Sequence, residues 1–223
     1  MRLGTKIPNF EAYTTKGKIH FHNWSGNSWV LMFSHPADFT PVCTTELGRL
    51  AERAEEFKRR GVKLLGHSCD SLESHLVWIK DIQAKYRRIP KVFPYPIIGD
   101  ETREIAEMLD MVDEREPSSR GVRAVLVIDP QKILRLFLLY PDTTGRNIDE
   151  IFRVIQALQL SSRAPVATPV DWQPGDEVLV CPNVPESEEA RLFPHGVQHV
   201  AMPSGLAYIR YTSDYLAPHE CWE

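Results

Sequence analysis

Cys43 follows Thr40 by three residues and Pro36 by seven, inside the run PADFTPVCTTELGR (36–49). Just upstream, SWVLMFS (28–34) is a short apolar run with β-branched and aromatic residues, the pattern of a buried strand. Downstream the period changes: Leu47, Leu50, Ala51, Ala54 and Phe57 recur at helical spacing among Glu, Arg and Lys, and Gly61 suits the C-terminal stop. Thr40 suits an N-cap and Pro41 the first helical position, so Cys43 is placed in the first turn, where backbone N–H groups lack an intrahelical acceptor. The dipole and those donors favour a thiolate over a thiol, and the thiolate is the nucleophile. Taken singly, Cys43 reads as a small buried hydrophobe and Thr40 as an ordinary cap.

The elements that must position this turn are α/β in organisation. The patterns predict a strand over 62–67, a helix over 71–86, a strand over 96–98 and a helix over 101–109. GVRAVLVIDPQKILRLFLLY (121–140) then carries two apolar runs joined by Asp129-Pro130-Gln131-Lys132, which reads as a hairpin, before a helix starting near Asn147. Crossovers followed by a hairpin and a helix predict a mixed central sheet of thioredoxin-like type. From about 164 the texture turns to proline-rich short strands, which predicts a boundary between a domain of 1–163 and a small C-terminal domain of 164–223. So short a segment buries little core alone and is expected to pack against something.

Arg123 interrupts an apolar run, where an unpaired buried charge is expensive. It is either a buried guanidinium with an anionic partner or a solvent-facing residue at a strand start, and its own sequence leaves both open. His20 and His22 are expected to share a strand face, but two histidines without a third ligand make a weak metal signal, and no metal is predicted. Cys43, Cys69, Cys181 and Cys221 are widely spaced with no C-x-x-C pair, so free thiols are expected. Cys69 and Cys181 close apolar runs and read as inert packing; Cys221 lies in a C-terminal tail, mobile unless it docks.

The 223 residues carry a net charge of −4, and the basic clusters KRR (58–60) and KYRR (85–88) are short, which argues against a nucleic-acid partner. MRLGTKIPNF lacks the apolar core of a secretory signal, and no stretch approaches the roughly 20 apolar residues that span a bilayer. A cytoplasmic protein without membrane anchoring is expected.

The spacing P-x-x-x-T-x-x-C, matched by Pro36, Thr40 and Cys43, resembles the active-site signature of the peroxiredoxins. The longer HPADFTPVCTTELGR, with FPYPIIGD (93–100), LYPDTTGRNIDEIFRVIQALQL (139–160) and VATPVDWQPGD (166–176), is similar to the 1-Cys subfamily over nearly the whole chain. The resemblance implies a thioredoxin-like fold and a C-terminal domain that reaches across a homodimer, with higher oligomers open. It implies a thiol peroxidase acting on hydrogen peroxide and organic or lipid hydroperoxides, in which Cys43 becomes a sulfenic acid. Thr40 then holds peroxide in line and Pro36 shields the thiolate. The resemblance places Arg123 beside Cys43, gives Arg146 a supporting role, and leaves His35 either orienting peroxide or simply packed. Glu46, one turn after Cys43, either hydrogen-bonds within the site or is an ordinary exposed glutamate. No cofactor is expected; an external thiol such as glutathione, directly or through a partner protein, is the expected reductant. Cys221 offers a rival resolving thiol.

Two other functions stay open on the sequence: a redox sensor in which Cys43 oxidation changes assembly, and a lipid hydrolase. For the latter His22 and Ser28 match a subfamily pattern built on G-x-S-x-G, but Val30 replaces the last glycine and Gln131 stands where an aspartate is required.

Overall fold

The computed structural model describes residues 1–113 and 121–216, and the expected tail thiol Cys221 lies outside the described residues. The chain divides into two compact units, Met1–Ile148 and the remainder from Asp149.

The first unit is built on a seven-stranded mixed sheet. A hairpin of β1 (Glu11–Thr14) and β2 (Gly17–His20) leads into the short helix α1 (Phe21–Ser25) and then β3 (Trp29–Ser34). Helices α2 (Pro41–Glu52) and α3 (Ala54–Arg59) cross over to β4 (Val62–Ser68). Helix α4 (Leu72–Lys85) leads to β5 (Ile97–Gly99), followed by α5 (Glu104–Met108) and the hairpin β6 (Arg123–Ile128) and β7 (Leu134–Tyr140). The strand order is β2-β1-β5-β4-β3-β6-β7. The β3–β4 and β4–β5 pairs are parallel and the rest antiparallel, as helical crossovers and tight hairpins respectively require.

Every residue of β3 and β6 is buried, which explains why both read as unbroken apolar runs rather than as an alternation. Their partner register sets Phe33 opposite Val125 and Met32 opposite Leu126. One face of the sheet packs Val30, Met32, Leu65, Ile98, Ala124, Leu126 and Ile128 against Phe10, Phe21 and Leu109. Two glycines are set by geometry. Gly61 ends the α3 segment at φ 66°, where a side chain is strained. Gly48 faces α4 where an added Cβ would lie 2.2 Å from the Tyr86 ring.

The predicted strands and hairpin form, with edges shifted by a residue or so, but the helix expected over 101–109 shrinks to Glu104–Met108. Arg103, in the left-handed region at φ 66°, starts it late. The shared strand face of His20 and His22 does not exist. His20 ends β2 and His22 already lies in α1, because the chain turns into a helix between them.

In the second unit α6 (Ile148–Ser161) precedes four short strands, β8 (Val166–Ala167), β9 (Val178–Val180), β10 (Gln198–His199) and β11 (Arg210–Thr212), with α7 (Glu186–Leu192) between β9 and β10. Their order is β10-β11-β9-β8. Leu160, Val166, Trp172, Val178, Val180, Val184 and Phe193 form a separate small core. The contacts therefore group α6 with this unit, earlier in the chain than the change of texture at 164.

Candidate active site

Strand β3 delivers His35 and Pro36 to the end of the sheet, and the chain then turns through Ala37–Phe39 into α2. Phe39 adopts φ 55°, strained for an aromatic residue, and its ring is half exposed at the turn. Thr40 occupies the N-cap with extended dihedrals and Pro41 the first helical position, as the spacing requires. The first bond of the helical ladder runs from Thr44 N to Thr40 O at 3.0 Å, so the N–H groups of Val42 and Cys43 precede the ladder. Thr40 differs from expectation in one respect. Its hydroxyl caps no helical N–H and donates instead to Ala37 O at 2.8 Å, bracing the turn.

Cys43 is fully buried, and Arg123 donates from Nη1 to its Sγ at 3.2 Å. The two readings of Arg123 are thereby resolved: it is 2 % exposed and faces the thiol from the start of β6. The same Nη1 donates to Glu46 Oε2 at 2.9 Å, and the far side of the guanidinium binds Asp142 O. Arg146 grips Glu46 through its backbone N at 2.7 Å, Nε at 2.9 Å and Nη2 at 2.7 Å, and donates to Ala124 O at 2.7 Å. Burial pushes the Glu46 carboxyl up, but the hydrogen bonds and charge of Arg146 hold it below the usual carboxylate range. A single carboxylate shared by two buried guanidinium groups leaves the cluster with excess positive charge. The Arg123 guanidinium is thereby placed where it can stabilise negative charge on the sulfur.

Glu46 was one of two readings in the sequence; what the sequence did not disclose is the group around His35. Fully buried, His35 bonds Asp38 Oδ1 through Nε2 at 2.8 Å and packs its ring 5.0 Å from that of Trp78. Burial lowers its tendency to ionise, opposed by Asp38. His75 from α4 meets the same carboxylate, and the candidate ligand atoms of His35, Asp38 and His75 lie within 4.8 Å of one another. The contacts are at hydrogen-bond distance, so shared protons account for them. No sequence spacing announces a group drawn from the end of β3, the turn and α4. Pro36 is buried beside them.

The other cysteines are as expected among the described residues. Cys69 is half-buried beyond β4, its thiol pushed up to about 11 by burial and then by the Asp100 charge, and Cys181 is half-buried at the small core. Two residues of the hydrolase pattern, His22 and Gln131, are engaged locally. His22 Nε2 lies 2.8 Å from Ile7 O, a carbonyl to which it donates, and Asp129 Oδ1 accepts the backbone N–H groups of Gln131 and Ile133.

A buried thiol on the first turn of a helix, faced by a guanidinium and carried on a thioredoxin-like mixed sheet, defines a thiol-dependent peroxidase. The AhpC/TSA family pattern matches residues 3–137, and that of the C-terminal domain of 1-Cys peroxiredoxin matches 157–193. Peroxiredoxin-6 of Sus scrofa and of Homo sapiens are each 54 % identical over 215 residues, covering 94 % of this chain and 96 % of theirs. The crystal structure of a cysteine-to-serine mutant of peroxiredoxin 6 from Arenicola marina superposes with a TM-score of 0.92 at 50 % identity, covering 96 % of this chain and 98 % of that one. A yeast mitochondrial 1-Cys peroxiredoxin, described with a thiol resolving mechanism via glutathione/thioredoxin systems, superposes with a TM-score of 0.86 at 44 % identity, covering 95 % and 99 %. This chain belongs to the peroxiredoxin family, in its 1-Cys branch, and is an oxidoreductase acting on peroxide.

Proposed function

We propose that Cys43 reduces hydrogen peroxide and organic or lipid hydroperoxides with electrons supplied by an external thiol, in the cytoplasm, as a homodimer. The observation that carries this is the Arg123 Nη1 to Cys43 Sγ contact of 3.2 Å inside a cluster whose charge calls for an anion on sulfur. The thiolate attacks one peroxide oxygen; the S–O bond forms as the O–O bond breaks, and water or an alcohol leaves after taking a proton. One external thiol condenses with the sulfenic acid, releasing water and leaving a mixed disulfide. A second thiol displaces Cys43 and departs as the small disulfide. The sulfur supplies both electrons, so the cycle needs no metal, haem or flavin.

In this cycle Arg123 stabilises the thiolate and the departing oxygen. Arg146 acts through Glu46, fixing the carboxylate that in turn fixes Arg123. Thr40 exchanges its bond to Ala37 O for one to the peroxide, and Pro36 keeps the floor of the turn dry. His35 serves the turn through Asp38. Glutathione suits the reductant because a small thiol can reach a recessed sulfur, and the yeast relative is described with glutathione and thioredoxin. The C-terminal segment 164–223 is assigned to dimerisation.

The test is stopped-flow mixing of reduced protein with one equivalent of hydrogen peroxide, following tryptophan fluorescence and intact mass. Fast formation of a Cys43 sulfenic acid, absent in Cys43→Ser, supports the reading; a slow or Cys43-independent reaction overturns it. Sustained turnover with glutathione separates an enzyme from a sensor, which stops after one equivalent.

A further inference from the structure

Asp38 is 7 % exposed and collects three side-chain donors. His35 Nε2 lies 2.8 Å from Oδ1; His75 Nδ1 and Ser74 Oγ each lie 2.7 Å from Oδ2. Burial pushes this carboxyl up, but the hydrogen bonds from His35 and His75 hold it below the usual carboxylate range. The other nitrogen of His75, Nε2, faces Ile98 O of β5 at 3.1 Å. A carbonyl can only accept, and so can an ionised carboxylate, so both nitrogens of His75 carry protons. His75 has no exposed surface and sets its two ring nitrogens against the Asp38 carboxylate and the Ile98 carbonyl. His35 differs, because its Nδ1 has no hydrogen-bond partner and a single proton on Nε2 satisfies Asp38.

A buried ion pair is a poor device for stability alone, since apolar residues of similar volume hold two elements together at least as well. What it does supply is direction. His75 and Trp78 lie three residues apart on one face of α4, and the pair grips the active-site turn on both sides of Cys43. Ahead of the thiol, His75 and Ser74 hold Asp38, whose backbone N–H is also fixed to Asp70 Oδ2 at 2.9 Å. Behind it, Trp78 Nε1 donates to Thr44 Oγ1 at 3.2 Å, and that hydroxyl donates to Thr40 O at 2.7 Å. Between these grips lie the strained Phe39 and the N-terminal turn that presents Cys43.

We infer that Asp38 and His75 form a buried latch that positions the active-site turn for reaction with peroxide, both acting as positioning residues through the turn. The latch rests on Cys43 being the thiol that meets peroxide. Asparagine at position 38 keeps the latch in neutral form. Its amide donates to a singly protonated His75, its carbonyl accepts from His35, and the Ser74 hydroxyl turns to accept.

The experiment compares the rate of sulfenic acid formation with hydrogen peroxide in wild type, Asp38→Ala, Asp38→Asn and Trp78→Phe, with Cys43→Ser as control. Imidazole nitrogen-15 spectra report which ring nitrogens carry protons. Displacing the turn by an ångström costs about tenfold or more, so Asp38→Ala is expected to be slower by that factor and Asp38→Asn within about threefold of wild type. His75 shows two protonated nitrogens in wild type and one in Asp38→Asn. A wild-type rate in Asp38→Ala, a rate in folded Asp38→Asn as low as in Asp38→Ala, or a singly protonated His75 in wild type overturns the latch. Should Asp38→Ala fail to fold, Trp78→Phe, which removes the N–H to Thr44 together with part of the ring packed on His35 and Phe39, is expected to slow the reaction several-fold, and a wild-type rate there overturns it equally. Sulfenic acid formation in Cys43→Ser would instead count against Cys43 itself.

Discussion

Arg123 and Cys69 show how burial acts oppositely on two neighbouring kinds of chemistry. Arg123 keeps its charge in the core because Cys43, Glu46 and the Asp142 carbonyl surround it with acceptors. Removing it withdraws a donor from the reacting sulfur and the leaving oxygen, so Arg123→Ala is expected to slow sulfenic acid formation by about a hundredfold to a thousandfold, measured by stopped flow. At Cys69 burial and the Asp100 charge outweigh the Arg103 charge and the Gly121 backbone donor, and the thiol is pushed up to about 11. It therefore stays protonated and unreactive at neutral pH; Cys69→Ser is expected to leave the peroxide rate unchanged, and mass mapping after brief alkylation at pH 7 to show Cys69 unmodified. The sign also fixes an alkaline effect. The raised folded-state value means that Cys69 favours folding below the unfolded thiol range and loses that contribution as pH rises toward 11.

Among the elements, the packing of α2 beside α4 bears on how Cys43 is held, and Gly48 is where the ring of Tyr86, the residue that caps α4, presses on α2. A Cβ there would lie 2.2 Å from Tyr86 Cε2, yet alanine favours a helix interior over glycine by about 1 kcal/mol. The two effects oppose each other. Gly48→Ala is expected to destabilise the wild type by about 1–2 kcal/mol, because the half-buried Tyr86 ring must leave α2. In a Tyr86→Ala background the same substitution should stabilise by about 1 kcal/mol, since only the helix preference remains. Urea unfolding of the four proteins measures the cycle, and an unchanged sign would show that the contact carries no weight.

For the whole molecule, acid stability follows from carboxylates buried beside cations and donors. Asp38, Glu46 and Asp100 are all held below the usual carboxylate range: burial opposes this in each, and hydrogen bonds from His35, Arg146 and His67 respectively outweigh it. A depressed folded-state value gives stability that is complete above the unfolded carboxylate range near pH 4 and is lost as pH falls through the folded values. Unfolding free energy should therefore fall below about pH 4, less steeply in Asp38→Asn, which has no such proton to take up, after a first loss that begins below about pH 6.5, where the unfolded chain protonates His35 and the folded one resists it. Sedimentation should show the proposed homodimer; a monomer at micromolar concentration would remove that assignment.

Much of this was legible in the residues. The apolar run before Pro36, the change to helical period after Thr40 and the turn residues 129–132 are local signals, and local sterics and periodicity decide strands, helices and hairpins. So the place of Cys43 on a first helical turn was determined by sequence alone, and the whole-chain resemblance carried the family. Sequence could not show that the Thr40 hydroxyl turns back to Ala37 or that His22 lies in a helix, because both depend on how the chain leaves a neighbouring strand. It could not choose between two environments for Arg123, since a strand start is buried or exposed according to what folds over it. The latch of Asp38 and His75 belongs to tertiary structure entirely. Its members come from segments that meet only when β3, β4 and β5 pair in parallel and α4 packs beside them, and hydrogen bonds across such a distance in sequence leave no periodic trace.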